Sequence, residues 1–105
     1  MNMTTAKLDE IAIQEALRQV IDPELGCNIV DLGLIYSTII EGAHVRVQMT
    51  LTTPGCPMHE SLTRGVQMAL LNLEGVETAD VDLVWDPPWD PSMMTAFGRA
   101  RVGLA

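Results

Sequence analysis

The sequence predicts an α+β fold, a two-layer α/β sandwich in which helices pack on one face of a small mixed sheet. Two patterns indicate it. Apolar residues recur with helical spacing near the N-terminus and again in the middle of the chain, and they alternate with polar residues in the stretches between and after. The predicted order is α-β-β-α-β plus a short C-terminal helix. With no repeat or linker in its 105 residues, the chain is expected to form one domain over residues 1–105.

The first helix is predicted between Asp9 and Ile21. Its apolar residues lie at i, i+3, i+4, i+7 and i+8 and share one face: Ile13, Ala16, Leu17, Val20 and Ile21. Pro23 is expected to end it, because proline lacks a backbone donor and disfavours the helical conformation at Asp22. Residues 22–28 are rich in turn-forming types and predict a loop.

Two strands joined by a tight turn are predicted next. β-branched and aromatic residues are concentrated in Leu34–Ile40, and Glu41-Gly42 marks the turn. From Val45 to Leu51 the apolar residues alternate with polar ones, so one face of this strand should be packed and the other wet or paired with a partner. The polar positions are His44, Arg46, Gln48 and Thr50.

The central helix follows Cys56-Pro57 and is predicted to run to about Leu73, with Gly75 suiting its end. A third strand is predicted at Ala79–Val84. Because a strand-helix-strand connection forms a right-handed crossover, the second and third strands should be parallel.

The C-terminal part is predicted to be irregular and then helical. Three prolines within Trp85–Pro91 exclude regular structure there. Asp90 and Pro91 are typical of an N-cap and a first helical position, so a short helix is predicted from there to about Arg101, with Gly98 weakening it.

Charge and hydropathy exclude several classes of function. Six Lys and Arg against 14 Asp and Glu give a net charge of −8, which repels nucleic acid. There is no uninterrupted apolar run near the ~20 residues that cross a bilayer, so no membrane insertion is expected. The first five residues show no basic cluster followed by an apolar stretch, so no secretory signal is expected and the predicted compartment is the cytoplasm.

The two cysteines, Cys27 and Cys56, lack the paired C-x-x-C spacing of a zinc site. Free thiols in a reducing compartment are the preferred interpretation, and a Cys27–Cys56 disulfide is the alternative. Cys56 precedes the central helix, whose first N–H groups carry roughly half a positive charge and favour a thiolate. A small buried residue without chemistry is an equally good interpretation of that position.

The other candidate side chains are acidic groups and one histidine. His59 could act as a base or second ligand beside Cys56, although a packed, hydrogen-bonded histidine is preferred. Asp22, Glu24 and Asp31 could converge on a hard cation or exchange protons, but capping and loop hydrogen bonds are preferred. Cys27 has no activating helix end and is expected to be passive.

Trp85 and Trp89 flank two prolines on a rigid segment. They could cover the edge of the core, which is the preferred interpretation. Alternatively they form a surface for a partner, since aromatic residues are enriched at interface hot spots.

Four ordered motifs resemble the PaaD-like/SufT-like family of iron–sulfur assembly proteins, over about Ile13 to Leu104. They are Asp22-Pro23-Glu24, Asn28–Tyr36, Met49–Met58 and Trp85–Trp89. The resemblance implies the same α-β-β-α-β fold and a role in assembling clusters or delivering them to client proteins. It also implies that Cys56 is the functional thiol. The supporting candidates remain His59, Asp22, Glu24, Asp31 and Thr53, the last of which lies within the cysteine motif.

Related proteins work alone, as the accessory protein of a phenylacetyl-CoA oxygenase system, or attached to a P-loop cluster carrier. These 105 residues contain no P-loop, so one of the first two roles is expected. One cysteine cannot enclose a cluster, because clusters usually take four thiolates, so a homodimer or a partner protein must supply the rest. We therefore expect a transient cluster or iron held through Cys56, no tightly bound cofactor, and assembly machinery and apo clients as partners.

The leading hypothesis is a maturation factor that is not an enzyme. A second is a metal-free adaptor that docks an assembly complex through its tryptophan segment and its sheet face. A third, a thiol enzyme using Cys56 with His59, is less favoured because no orienting carboxylate can be identified from the sequence.

Overall fold

A computed structural model of the protein describes residues 8–52 and 59–103. The helices are α1 (Glu10–Leu17), α2 (His59–Leu71) and α3 (Ala96–Arg101), with a 3₁₀ turn at Pro91–Met93. The strands are β1 (Ile21–Asp22), β2 (Cys27–Asn28), β3 (Ile35–Glu41), β4 (His44–Met49) and β5 (Thr78–Leu83). Within the described ranges, no helix combines the length and apolar character needed to cross a bilayer.

The larger sheet has the order β3-β4-β5. β3 pairs antiparallel with β4 through the predicted turn at Gly42, which has a φ of +62°. β4 pairs parallel with β5, as a right-handed crossover through α2 requires. The predicted mixed sheet and element order are therefore confirmed, with a two-stranded β1-β2 hairpin in addition.

The core lies between the inner face of β4 and the apolar faces of α1 and α2. Alternate residues of β4 point inward, as the period of two predicts. The helical stripes of α1 and α2 meet them, as the helical spacing predicts. The central buried side chains are Ile13, Leu17, Val45, Val47, Met49, Leu62, Val66 and Leu70.

The outer face of the sheet is polar and carries ion pairs. Asp80 lies 3.3 Å from the His44 Nε2 atom and 3.8 Å from an Arg46 nitrogen. Arg46 also lies 3.9 Å from Asp82. Thr50 departs from the predicted alternation: it is fully buried, because Tyr36 and the chain at Pro87 lie over this end of the sheet.

The predicted end of the first helix is wrong. α1 ends at Leu17, four residues before Ile21, and Ile21 is half exposed in β1. The Asp22 carboxylate accepts hydrogen bonds from the N–H groups of Glu24 and Leu25, which forms the turn of the β1-β2 hairpin. This turn competes with helix formation. Ile21 and Asp22 therefore pair with Asn28 and Cys27 instead of continuing α1.

The C-terminal helix is also shorter than predicted and is divided in two. Asp90 caps the 3₁₀ turn, as expected of an N-cap, but the turn stops at Met93. Thr95 then donates its N–H to the Asp31 carbonyl and caps α3 by accepting from the Gly98 N–H. This long-range bond interrupts the helix, because Thr95 cannot also continue the helical hydrogen-bond pattern.

Candidate functional site

The cysteine motif and the tryptophan motif leave the sheet side by side. Met49 and Leu83 are paired at the carboxyl ends of the parallel strands β4 and β5. The Val84 N–H donates to the Met49 carbonyl over 2.8 Å, so the chain after β5 starts directly beside the chain that leads to Cys56. In α/β sheets this carboxyl edge is where ligands usually bind.

The Asn28–Tyr36 motif is attached to the same edge by hydrogen bonds. The Thr50 N–H donates to the Leu34 carbonyl over 2.8 Å. The Tyr36 hydroxyl donates to the Pro87 carbonyl over 2.7 Å, and burial raises the pKa of this phenol, so it stays protonated at neutral pH. The start of the cysteine motif, the middle motif and the tryptophan motif thus form one connected structure.

The two tryptophans of the last motif have different surroundings. Trp89 packs against the core, and its indole N–H donates to the Leu32 carbonyl over 2.7 Å. Trp85 leaves 42% of its surface exposed. Trp89 therefore covers the core as preferred, whereas Trp85 is available to a partner.

Asp31 joins the middle motif to the C-terminal helix. Its carboxylate accepts hydrogen bonds from Asn28 Nδ2 over 2.7 Å and from the Thr95 hydroxyl over 2.7 Å. Arg18 lies 3.7 Å away. Burial alone would raise the pKa of Asp31, but the bonds from Asn28 and Thr95 and the charge of Arg18 outweigh it and hold the pKa below its usual value. The contacts of the Asp31 carboxylate therefore indicate a structural role.

Asp22 behaves as the preferred interpretation expects of a loop acid. Asp22 is buried and accepts the backbone bonds of its own turn, while Glu24 is exposed. No group of three or more His, Cys, Asp or Glu residues suited to a metal ion occurs in residues 8–52 and 59–103. Within that part of the chain, the acidic residues before β3 do not converge on a cation site.

Cys27 is a free thiol in β2 and is only 2% exposed. Burial, followed by the negative charge of Asp31, raises the pKa of this thiol. A buried, protonated thiol is a poor nucleophile and a poor metal ligand. These surroundings agree with the passive role expected of Cys27.

The residues 53–58, which include Thr53 and Cys56, lie outside the described residues, and so does the side chain of His59. Their roles stay predictions. The flanking elements are described: Thr52 follows the carboxyl end of β4, and α2 begins at His59, three residues after Cys56. In the sequence, residues 53–58 connect Thr52 to the first residue of α2.

Sequence reasoning did not single out Tyr36, Thr50 or Thr95 as site residues. Thr95 could have been found as the N-cap of α3, because threonine is one of the residues favoured at that position. The hydrogen bond from Tyr36 spans 51 residues of sequence, and no local pattern reveals such a contact.

Comparisons with known proteins concern the family of the chain and its overall fold. A family model described as "Iron-sulfur cluster assembly protein" matches residues 10–81. The chain is 40% identical over 93 residues to the Fe-S protein maturation auxiliary factor YitW of Bacillus subtilis, covering 88% of this chain and 91% of that protein. It is 39% identical over 87 residues to the Fe-S protein maturation auxiliary factor SufT of Staphylococcus aureus, covering 82% of this chain and 99% of that protein.

A solved structure shares the fold. The crystal structure of a domain of unknown function, DUF59, from Bacillus anthracis superposes with a TM-score of 0.84 at 36% identity, covering 91% of this chain and 92% of that one. The family match and the similarity over nearly the whole length of two relatives lead to one conclusion. The chain belongs to the iron–sulfur cluster assembly protein family.

Proposed function

We propose that this protein is an iron–sulfur protein maturation factor that helps to assemble clusters or to transfer them to client proteins, with Cys56 as its working thiol. The observation that carries the proposal is the common origin of the cysteine and tryptophan motifs at the carboxyl edge of β4 and β5. The names of the relatives YitW and SufT support the same class of function.

The position of Cys56 suits a transient ligand. A thiolate three residues before α2 would be stabilised by the positive end of the helix, which makes it available at neutral pH. Cys27 is buried in the hairpin and cannot serve as a second ligand without unfolding around it. A homodimer or a partner protein must then supply the other thiolates, so cluster binding is expected to be labile.

The role is that of an accessory factor without a reaction of its own. Its partners are the cluster-assembly machinery and apo client proteins. We place it in the cytoplasm, because a free thiol is maintained in a reducing compartment. A narrower PaaD-type role, serving one oxygenase system, is the alternative within the same family and would involve the same residues.

Anaerobic reconstitution tests the proposal directly. Wild type, Cys56→Ala and Cys27→Ala are each incubated with iron and sulfide, and the cluster absorbance and its transfer to an apo-ferredoxin are measured. Wild type and Cys27→Ala should bind and transfer, and Cys56→Ala should lose both. Wild type that binds no iron and sulfide, or Cys56→Ala that equals wild type, would refute the role of Cys56.

A second candidate, the metal-free adaptor, is favoured by one observation, the exposure of Trp85 beside the cysteine motif. In that function the tryptophan segment docks an assembly complex, and the cysteine is dispensable. Partner capture that survives Cys56→Ala but is lost in Trp85→Ala would be its signature.

A further inference from the structure

β3 leaves one edge of the larger sheet open. The strand order is β3-β4-β5, so β3 has a neighbour on one side only. The Met49 carbonyl bonds to the Val84 N–H, so the odd-numbered residues of β4 bond towards β5 and the even-numbered ones towards β3. The even-numbered residues pair with Ser37, Ile39 and Glu41. Thr38 and Ile40 alternate with these partners, so their N–H and C=O groups point to the open edge, and no other segment within residues 8–52 and 59–103 bonds to them.

This edge lacks the features that usually prevent a strand from pairing with another chain. Charged side chains and prolines are the common ones. Ile35–Ile40 contains neither, and the first charge is that of Glu41 at the turn. Ile39 is 44% exposed on the outer face beside Arg46, and Ile40 is 36% exposed on the helix side. Two adjacent isoleucines are thus presented at an unpaired strand edge.

The opposite edge of the sheet, at β5, has such features. The Gln67 side chain donates to the Ala79 carbonyl over 3.0 Å and occupies one of the edge groups. Asp80 and Asp82 lie on the outer face of β5. Two copies paired symmetrically through Val81 would place Asp80 of each opposite Asp82 of the other, and like charges in opposite positions are destabilising. Of the two edges, β3 is therefore the one that accepts a second copy.

The sequence of β3 is complementary to itself. When two copies pair antiparallel about Ile39, Thr38 of each copy exchanges both backbone hydrogen bonds with Ile40 of the other. The two Ile39 side chains then meet in the closely spaced, non-hydrogen-bonded position. Ser37 lies opposite Glu41, so no like charges face each other across the strands. This register uses only residues beyond the bulge that precedes Ser37.

We propose that this protein self-associates through β3, forming a two-fold symmetric dimer with a continuous six-stranded sheet. The interface is small, and each chain carries a net charge of −8, so the dimer is weak and is strengthened by salt, which screens the repulsion. The two β4 strands run in opposite directions in this dimer, so both carboxyl edges stay accessible. The inference goes beyond the proposed function and does not rest on it.

Sedimentation velocity of the full chain at about 20 µM and about 1 mM, in about 0.05 M and about 0.5 M NaCl, tests the self-association. The dimer fraction of wild type should rise with protein concentration and with salt. Ile39→Lys removes the central apolar contact and places two positive charges opposite each other, so it should weaken the dimer at least about tenfold. Ile21→Lys is the matched control, because it changes the charge equally at a half-exposed isoleucine of β1, and it should behave as wild type.

Cross-linking tests the register, in a Cys56→Ala background where the remaining thiol, Cys27, is buried. Under mild oxidation Ile39→Cys should form a disulfide-linked dimer, because non-hydrogen-bonded partners have Cα atoms about 4.5 Å apart. Ser37→Cys is the control. The two Ser37 positions of the dimer are offset by four residues along the strands, roughly 13 Å, so they should not cross-link.

Wild type that stays monomeric at about 1 mM in high salt would overturn the inference, and so would a dimer that Ile39→Lys does not weaken. Cross-linking of Ser37→Cys as fast as that of Ile39→Cys would also overturn it. Thermal denaturation checks that Ile39→Lys is folded, and if it is not, the Ile39→Cys cross-link decides. None of these results depends on cluster binding, so the proposed function stands or falls separately.

Discussion

Asp31 shows how a single carboxylate connects distant parts of this chain. Its side chain binds Asn28, three residues away, and Thr95, 64 residues away. Its carbonyl accepts the Thr95 N–H over 2.9 Å. The folded structure holds hydrogen-bond donors next to the negative charge of Asp31. The ionised form of Asp31 therefore stabilises the native state.

Replacing Asp31 by Asn should destabilise the protein by about 1–3 kcal/mol at pH 7, because charge-assisted bonds are lost in a buried site. The folded-state pKa of Asp31 lies below its ordinary value of 3.8. The stabilisation is therefore fully present above pH 3.8 and is lost as the pH falls through the lower folded-state pKa. Urea denaturation at pH 7 and near pH 3 should show the difference between wild type and variant shrinking at the lower pH.

Asp82→Asn is the control for this experiment, because Asp82 is a half-exposed partner of Arg46 on the outer face. It should change the free energy of unfolding by less than about 1 kcal/mol. A wild-type advantage over Asp31→Asn that is equal at both pH values would show that the charge of Asp31 contributes nothing.

At the scale of single residues, the sequence predicts local bonds and misses distant ones. The capping roles of Asp22 and Asp31 were preferred over a cation site because short polar side chains commonly bond nearby backbone groups. Trp89 was expected to cover the core, but its bond to the Leu32 carbonyl spans 57 residues and has no local signal. The alternation predicts Thr50 on the polar face, but its side chain is fully buried. Alternation alone does not show that another segment covers the end of the strand.

At the scale of elements, α3 packs unusually close to the middle motif. A Cβ atom built on Gly98 would lie 2.4 Å from the Asp31 carbonyl oxygen. The sequence suggested that Gly98 weakens its helix, which is its intrinsic effect. In the structure, the absence of a side chain at Gly98 allows the helix to approach the Asp31 backbone.

Gly98→Ala should destabilise the protein by about 1–3 kcal/mol, because the added methyl group meets backbone that cannot move away easily. Gly65→Ala is the matched comparison in α2, where a Cβ would lie at an ordinary 3.5 Å from Val20. Gly65→Ala should stabilise by about 0.5–1 kcal/mol through helix propensity. Thermal denaturation measures both, and a Gly98→Ala variant as stable as wild type would contradict the close approach.

Element types were predictable from periodicity, whereas boundaries were set by hydrogen bonds between segments. β4, β5 and α2 lie where the alternation and the helical stripe place them, and β3 lies where β-branched and aromatic residues predict a strand. α1 ends early because Ile21 and Asp22 pair with β2, and that hairpin is stabilised by the turn of Asp22. The break before Thr95 likewise depends on Asp31, which is remote in sequence.

At the scale of the whole molecule, the two tryptophans are expected to have different roles: Trp89 contributes to stability, and Trp85 is available for docking a partner. Trp89→Ala should destabilise by about 2–4 kcal/mol, because it removes core packing and a buried hydrogen bond. Trp85→Ala should change stability by less than about 1 kcal/mol, since its side chain is substantially exposed. Urea denaturation of the two variants checks this, and equal losses would contradict their different surroundings.

Trp85→Ala is then the suitable variant for testing a partner, since it should remain folded. Capture of purified cluster-assembly proteins by wild type, Trp85→Ala and Cys56→Ala should be compared at a temperature where all three are folded. The maturation proposal expects Cys56→Ala to lose cluster transfer whether or not capture persists. Transfer that depends on Trp85 but not on Cys56 would favour the adaptor.

The global arrangement was largely predictable, because the crossover rule determines how strands joined by a helix pair. The parallel pairing of β4 with β5 follows from that rule, and the predicted tight turn makes β3 antiparallel to β4. The functional class could not be obtained from periodicity or charge. It came from the resemblance of the motifs, which the family match over residues 10–81 bears out.

The most direct measurement compares client enzymes in cells that lack this protein and are complemented with wild type, Cys56→Ala or Cys27→Ala. Several cluster-dependent enzymes and one cluster-independent enzyme are assayed at matched protein levels. Wild type and Cys27→Ala should restore the cluster-dependent activities, Cys56→Ala should not, and the cluster-independent enzyme should be unchanged throughout. Full restoration by Cys56→Ala would contradict the account.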